Sequence, residues 1–303
     1  MEIMLNSEDL LSGSYLRYRE MFEASDKYDV IIDKATARQT DMSQFKKALI
    51  LERQDCASLW FRNFLVMENV TGALKMFHYH DVEINNRPVT GGRLFVDDPD
   101  NAKVERIQVE QEHIDKIMPG FSFFHNPRFC NFFSEVLLAD LRPIKERPVD
   151  LMFAGTTDFD PTVPAGKWIT DKRLLCVDNI NRLSDDLNVL AVDGRGLSTP
   201  EYRQALLDTK IFLSPLGTGE YCGKDFEALM SGCIVVKPTL PGYCTFNPDY
   251  HDDIVYIDNF DQFGLVDFHD IMFSCGDGPR DHIRAKLLDA KKNEVQIVKD
   301  ILK

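Results

Sequence analysis

Apolar and polar positions alternate along the second half of the chain in a way that predicts strands and helices in turn. Pro200–Asp208 has helical spacing with Pro200 in its first turn, and Asp171–Leu183 can form a second helix. Strands that alternate with helices are typical of a parallel sheet, so we expect an α/β unit here. The predicted strands are Val149–Gly155, Asn188–Val192, Lys210–Pro215, Cys233–Val236 and Asp253–Ile257.

The first half of the chain gives fainter signals of the same kind. Val66–Phe77 predicts a strand with a turn at Thr71-Gly72, and an amphipathic helix is expected from Glu8 to about Glu23. Val82–Val104 is rich in Asn, Gly, Pro and Asp and predicts a loop or hairpin excursion. Further strands are expected at Glu2–Leu5, Val30–Ile32 and Ala48–Leu51, and a closing helix at Asp281–Leu302.

The length of the chain indicates two domains. A chain of 303 residues is long enough for two hydrophobic cores of about 150 residues each. Leu141–Arg147 interrupts two apolar stretches and is the expected hinge. We therefore predict an N-terminal domain of residues 1–145 and a C-terminal domain of residues 146–303, each a Rossmann-like doubly wound α/β unit.

Charge and cysteine content exclude several classes of function. The net charge of −14 argues against a nucleic-acid partner, because phosphate binding needs clustered Lys and Arg. No run of 18 apolar residues predicts a membrane span, and the first residues lack the pattern of a signal peptide, so a cytoplasmic protein is expected. The seven cysteines form no C-x-x-C pair, which makes zinc and a disulfide framework improbable.

The segment at residues 210–238, KIFLSPLGTGEYCGKDFEALMSGCIVVKP, carries the strongest functional signal. It predicts a strand, a glycine loop, a short helix and a second strand. Gly217 and Gly219 allow a close approach of the backbone to a ligand, and the helix begins near Lys224. A helix N-terminus behind a strand end is a diphosphate site, to which Lys224 adds charge, while Glu227 can accept hydrogen bonds from ribose. The pattern is neither a P-loop nor G-x-G-x-x-G, because the last expected glycine falls on Cys222.

This string resembles the donor-binding segment of exostosin-like glycosyltransferases, with a looser likeness from Val149 to Asp258. The resemblance implies a GT-B fold, with two Rossmann-like domains facing a cleft and a final helix that packs back on the first domain. It implies an inverting transfer from a nucleoside-diphosphate sugar, best read as a UDP-sugar, to an oligosaccharide or glycoprotein glycan. We expect no obligatory cofactor or metal. The donor-binding residues that it implies are Gly155, Thr156, Ser214, Gly217, Thr218, Gly219, Glu220, Tyr221, Lys224, Asp225 and Glu227.

An inverting enzyme of this kind needs a general base near the acceptor hydroxyl. Asp55 is the first candidate, because it follows the predicted strand at Ala48–Leu51 and strand carboxyl ends face the ligand in open α/β sheets. Glu52 is the alternate. A second cluster in the segment LKMFHYHD supplies candidates on the acceptor side, namely Lys75, His78, His80 and Asp81.

Alternatives to this interpretation remain. Asp158-Phe159-Asp160 has the D-x-D pattern with which metal-dependent GT-A glycosyltransferases hold Mn²⁺ or Mg²⁺, since hard cations favour oxygen ligands. An epimerase or dehydrogenase is disfavoured by the broken glycine fingerprint. A non-catalytic sugar-nucleotide-binding protein stays open. Six residues separate Glu220 from Glu227, one short of the Glu-x7-Glu pattern of retaining GT-B families.

Overall fold

The computed structural model describes residues 2–4, 27–52, 61–75, 78–79, 109–119, 139–161, 166–193, 196–217, 221–239, 244–245, 251–258, 260, 263–276 and 280–301. The chain forms two compact units. The first comprises Met1–Cys130, Gly242–Asp249 and Asp289–Lys303, and the second comprises Asn131–Pro241 and Tyr250–Leu288. The helix predicted at residues 8–23 and the excursion predicted at residues 82–104 lie outside the described residues.

The first unit is built on a parallel sheet whose five strands follow one another in chain order. Its strands are β1 (Glu2–Met4), β2 (Val30–Asp33), β3 (Ala48–Glu52), β4 (Val70–Lys75) and β6 (Ile117–Pro119). Ile50 and Leu49 point to opposite faces of the sheet, and both are fully buried. Both faces of the central strand are therefore covered, as expected for a parallel sheet with near-continuous apolar strands.

Short elements complete the described part of this unit. A two-stranded antiparallel pair joins β5 (His78–Tyr79) to β11 (Cys244–Thr245). The described helices that lie wholly within this unit are brief, and Asp33 caps the first of them by accepting hydrogen bonds from Ala35 N at 2.8 Å and Thr36 N at 3.0 Å. The elements are α1 (Lys34–Ala37), a 3₁₀ turn (Met42–Gln44), α2 (Arg62–Leu65), β5 (His78–Tyr79), α3 (Gln111–Ile114) and β11 (Cys244–Thr245).

The turn predicted at Thr71-Gly72 is wrong, because both residues lie inside β4. A Cβ atom on Gly72 would lie 2.7 Å from the Tyr28 hydroxyl and 3.0 Å from Leu49 Cδ1. The register between β3 and β4 also shifts next to this position, between Ala48 and Leu49. Position 72 therefore requires a glycine because neighbouring side chains pack closely against the strand beside a bulge, and the residue does not form a turn.

The second unit contains a parallel sheet in the order β12-β10-β9-β7-β8. Its strands are β7 (Val149–Ala154), β8 (Val189–Val192), β9 (Thr209–Leu213), β10 (Ile234–Pro238) and β12 (Ile254–Ile257). The chain passes from β7 outward to β8 and then returns to place β9 on the other side of β7. Because crossovers of this kind are right-handed, such a reversal puts helices on both faces of the sheet.

The helices of this unit pack on a sheet that is buried on both faces. Phe153 and Leu213 belong to a core that includes Cys176 and Ile180, whereas Met152 and Phe212 are buried on the opposite face. The other elements are 3₁₀ turns (Ile144–Glu146 and His251–Asp253), α4 (Gly166–Arg182), α5 (Thr199–Leu207), α6 (Gly223–Met230), α7 (Leu265–Cys275) and the first part of α8 (Asp281–Ile301), whose residues from Asp289 onward belong to the first unit. The predicted α/β class, with two Rossmann-like parallel sheets, is confirmed.

The segment predicted as a hinge packs within the second unit. Ile144 is fully buried in its core. Arg147 is 1% exposed and donates hydrogen bonds to Thr209 O at 2.8 Å and Ser231 O at 2.9 Å. Burial lowers the pKa of this guanidinium. Arg147 thus ties the start of β9 to the end of α6, away from the carboxyl ends of the strands.

Candidate functional site

The second sheet reverses its strand order between β7 and β9, which pair in parallel register. In open α/β sheets, ligands bind outside the carboxyl ends of the strands at such a switch point. Two described loops leave the sheet there, Gly155–Pro161 after β7 and Ser214–Gly217 after β9. The residues predicted from the sequence in these two loops, which are far apart in the chain, therefore follow neighbouring strand ends.

A cation that the sequence analysis did not identify lies between these loops. Arg173, on α4, donates a hydrogen bond from Nη1 to Thr156 O at 2.8 Å. A Cβ atom on Gly217 would lie 2.7 Å from its Nη2 atom. The guanidinium also lies over the Phe159 ring, 4.9 Å from the ring centroid. Arg173 therefore contacts the loop after β7 and lies directly against the loop after β9.

A signal for Arg173 was present in the sequence. Ile169, Cys176 and Ile180 are fully buried on α4, and Arg173 falls on the same helical stripe, four residues after the first and three before the second. A charged residue on a buried stripe points to a partner in the tertiary structure or to a ligand. The hydrophobic pattern alone does not say which loop such a side chain reaches.

Lys224 brings a second positive charge to the end of β7. It lies in the first turn of α6, and its Nζ donates a hydrogen bond to Ala154 O at 2.6 Å. The ammonium also lies 5.6 Å from the centroid of the Tyr202 ring. Lys224 and Arg173 thus hydrogen-bond to carbonyl oxygens two residues apart in the chain, at the strand end where the switch point lies. The pairing of a lysine with a glycine loop here was predicted.

Glu227 lies one turn after Lys224 on α6 and is 2% exposed. Its Oε2 atom accepts a hydrogen bond from the Tyr202 hydroxyl at 3.0 Å. Burial, and then the negative charge of Glu227, raise the pKa of Tyr202 well above its ordinary value, so the phenol stays a donor at neutral pH. Tyr202 comes from α5 and is a second residue that the sequence analysis missed.

Three other predicted donor-binding residues, Ser214, Tyr221 and Asp225, contact one another or a common lysine in a buried network. Asp225 is 0% exposed, and it accepts hydrogen bonds from Ser214 Oγ, from Cys222 N at 2.8 Å and from Lys237 Nζ at 3.0 Å. Lys237 is 1% exposed and lies 5.8 Å from the centroid of the Tyr221 ring. These contacts hold both ends of the loop between β9 and α6 in place. Thr218, Gly219 and Glu220 lie outside the described residues.

Two predicted residues of the first unit, Glu52 and Lys75, are the last residues of β3 and β4. Glu52 is 1% exposed, and its Oε2 atom lies 2.9 Å from Lys34 Nζ. Lys75, which is fully buried, is its register partner on β4. The structure therefore places Glu52 and Lys75 side by side at the carboxyl ends of two neighbouring strands. Lys34 is a nearby cation that the sequence analysis missed. His78 is described only as part of β5, and Asp55, His80 and Asp81 lie outside the described residues.

The described residues offer no clustered metal ligands, no membrane span and no ionised thiol at Cys222 or Cys233. Asp158 and Asp160 are exposed in the loop after β7, and the part of the chain that the structure describes holds no group of three or more His, Cys, Asp or Glu able to bind a metal ion. None of its helices is both long and apolar enough to cross a membrane. Burial raises the pKa of the Cys222 thiol to about 11 and that of Cys233 to about 11, so both are protonated at neutral pH.

Comparisons with known proteins add little. No protein-family model matches this sequence, and no curated protein matches it significantly. Among solved structures, the chain is similar to WaaG, a glycosyltransferase involved in lipopolysaccharide biosynthesis, at 10% sequence identity and a TM-score of 0.34. The match covers 100% of this chain and 95% of that one.

Proposed function

We propose that the protein is a glycosyltransferase that moves a sugar from a nucleoside-diphosphate sugar, a UDP-sugar in our proposal, to a hydroxyl group of a glycan. The transfer inverts the anomeric centre and needs no metal ion. The observation that carries the proposal is that Arg173 and Lys224 both donate hydrogen bonds to backbone carbonyls at the switch point of the second sheet. The buried carboxylate of Glu227 lies one helical turn after Lys224.

The diphosphate is proposed to bind at the end of β7. Arg173 and Lys224 supply two positive charges there, and Gly217 leaves room for the guanidinium next to its backbone. A guanidinium offers paired donors that match phosphate oxygens, whereas an ammonium acts as a compact charge. In the reaction the bond from the anomeric carbon to the diphosphate breaks, and the two cations stabilise the negative charge that grows on the leaving nucleoside diphosphate.

The acceptor supplies the new bond. Its hydroxyl oxygen attacks the anomeric carbon from the side opposite the diphosphate, and its proton passes to a carboxylate that acts as general base. Asp55 is proposed for this role, with Glu52 as the alternate. Glu52 already forms an ion pair with Lys34, so its use as a base would require the acceptor to compete with that lysine.

Nucleotide binding tests the proposal directly. UDP and GDP are titrated into the full chain by calorimetry, together with the variants Glu227→Gln and Glu146→Gln. Glu146 is an exposed glutamate of the same unit and is the matched control. Loss of charge-assisted hydrogen bonds at Glu227 should weaken binding by about 2–3 kcal/mol, and Glu146→Gln should change nothing. If the unaltered chain binds neither nucleotide, the proposed function is wrong.

Transfer and metal dependence are tested next. Release of UDP from a panel of UDP-sugars is measured with glycan acceptors, in the presence of EDTA and after addition of Mn²⁺. Lys224→Ala should lower turnover more than donor affinity, because the charge on the leaving group is greatest in the transition state. Activity that collapses in EDTA and returns with Mn²⁺ would favour the D-x-D alternative. Nucleotide binding without transfer to any acceptor would favour a non-catalytic protein.

A further inference from the structure

Tyr202 contacts both of the charged α6 side chains to which the proposed function gives a role. Its hydroxyl donates a hydrogen bond to Glu227 Oε2 at 3.0 Å, and the centroid of its ring lies 5.6 Å from Lys224 Nζ. Lys224 and Glu227 are three residues apart and share one face of α6. A single side chain from α5 thus holds the charged groups that would bind diphosphate and ribose.

We propose that Tyr202 is a positioning residue that orients Glu227 for two ribose hydroxyls and so makes the site select ribonucleotides over 2′-deoxyribonucleotides. The inference rests on the proposed function. It assigns to α5 a part in substrate selection that neither the motif at residues 210–238 nor the loops at the switch point provide.

The argument begins with the freedom of a glutamate side chain. Glu loses much rotamer freedom when it is fixed, and a ligand that must fix it binds less tightly. In the structure the Tyr202 hydroxyl already holds one carboxylate oxygen of Glu227 at hydrogen-bond distance. A carboxylate has about four lone-pair sites in total, so it can keep this bond and still accept from ribose. Tyr202 therefore prepares the carboxylate before the nucleotide arrives.

The position of α5 supports this role. Ser198 and Glu201 form a capping box at its start, in which Glu201 Oε2 accepts from Ser198 N at 2.8 Å. Tyr202 is the residue after this cap, in the first turn of the helix. Capping fixes the helix start, and the tyrosine is consequently held at its backbone as well as at its hydroxyl and its ring.

Substitutions at Tyr202 can test the contributions of its ring and its hydroxyl to nucleotide binding separately. Tyr202→Phe keeps the ring next to Lys224 and removes the donor to Glu227. Tyr202→Leu removes both contacts. Tyr28→Phe is the matched control, because Tyr28 is a buried tyrosine of the first unit that takes no part in the proposed site.

The experiment compares the affinities of UDP and 2′-deoxy-UDP, and of the guanosine pair, by calorimetry on the full chain. For Tyr202→Phe we expect UDP to bind about two- to tenfold more weakly, because the nucleotide itself would then have to fix the Glu227 side chain. The deoxy nucleotide should lose less affinity than UDP, since it lacks one of the two hydroxyls that Glu227 would accept from. The ratio of the two affinities therefore falls. Tyr202→Leu should weaken both nucleotides, and UDP more than the deoxy nucleotide, whereas Tyr28→Phe should weaken neither.

The ratio distinguishes positioning from a general structural role. If Tyr202→Phe weakens both nucleotides equally, or leaves their ratio unchanged while Glu227→Gln lowers it, the inference is overturned and the proposed function stands. If Tyr202→Phe does not fold, as judged by circular dichroism, the same ratio is measured on Tyr202→Leu, and an unchanged ratio again overturns the inference. If the unaltered chain binds no nucleotide, both proposals fail.

Discussion

Arg173 lies so close to Gly217 that the substitution Gly217→Ala should change the candidate site and leave the fold intact. In Gly217→Ala, the new Cβ atom would lie 2.7 Å from Arg173 Nη2, whereas non-bonded heavy atoms prefer about 3.5–4.0 Å. The guanidinium must therefore move away by roughly 1 Å. The nearest atom is the end of a long side chain, which can move without distortion of the backbone. The backbone of Gly217 also lies outside the left-handed region.

The expected energies follow from this geometry. Stability should change by less than about 1 kcal/mol, because a compatible Gly→Ala change restricts the unfolded chain by about 0.4–1 kcal/mol and so offsets the cost of moving the arginine. Nucleotide binding should suffer more. A charge-assisted hydrogen bond is about 2.7–2.9 Å long, and a shift of roughly 1 Å removes it, at a cost of about 1.5–3 kcal/mol.

Urea unfolding and calorimetric titration with UDP measure the two quantities on the same protein. Arg173→Ala provides the control background. In that background Gly217→Ala should no longer weaken binding, because the displaced group has been removed. The reasoning is refuted if Gly217→Ala binds UDP normally, or if its effect on binding is the same with and without Arg173.

Two further predictions concern the stability of the second unit. Gly232 has a φ of 76°, and a Cβ atom there would lie 2.6 Å from Nη2 of the buried Arg147. Gly232→Ala should therefore lower the free energy of unfolding in urea by at least about 2 kcal/mol. A loss below about 1 kcal/mol would contradict this prediction. Asp225→Asn should cost about 3–5 kcal/mol, because it leaves the buried ammonium of Lys237 without its charged partner. Addition of Lys237→Met should restore part of that loss, and strictly additive costs would argue against coupling.

Much of the fold could be predicted from the sequence because the strands of a parallel sheet are apolar on both faces. Val235 and Val236 are both fully buried, so their run stands out without any partner being known. The failures have a different cause. Gly72 was taken for a turn residue, although the space that it saves is filled by Tyr28, and such a neighbour is not visible in a local pattern. The helix Leu265–Cys275 was missed as well.

The candidate site divides in the same way. Gly217 and Lys224 were found because a glycine loop before a helix is a local feature. Arg173 and Tyr202 were missed because each lies on another helix, far from the motif in the chain. Only the folded structure shows that their side chains contact Thr156 and Glu227. Asp225 was predicted as a ligand from its place in the motif, but its described contacts are with Ser214, Cys222 and Lys237; a direct role in donor binding stays a prediction.

The division of the chain between the two units has a consequence for its synthesis on the ribosome. The first unit includes Gly242–Asp249 and Asp289–Lys303, so its final pieces emerge after most of the second unit. The β5 strand must wait for β11 across roughly 170 residues of chain, which at about 5–20 residues per second takes on the order of 10–30 seconds. The second unit lacks only its segment Tyr250–Leu288 once residue 249 has been made. The unit that begins first is therefore completed last. The five strands of its parallel sheet have all been made by Pro119, but β5 waits for β11, and during that interval the edge of β5 is the part of the nascent chain that would depend on chaperones.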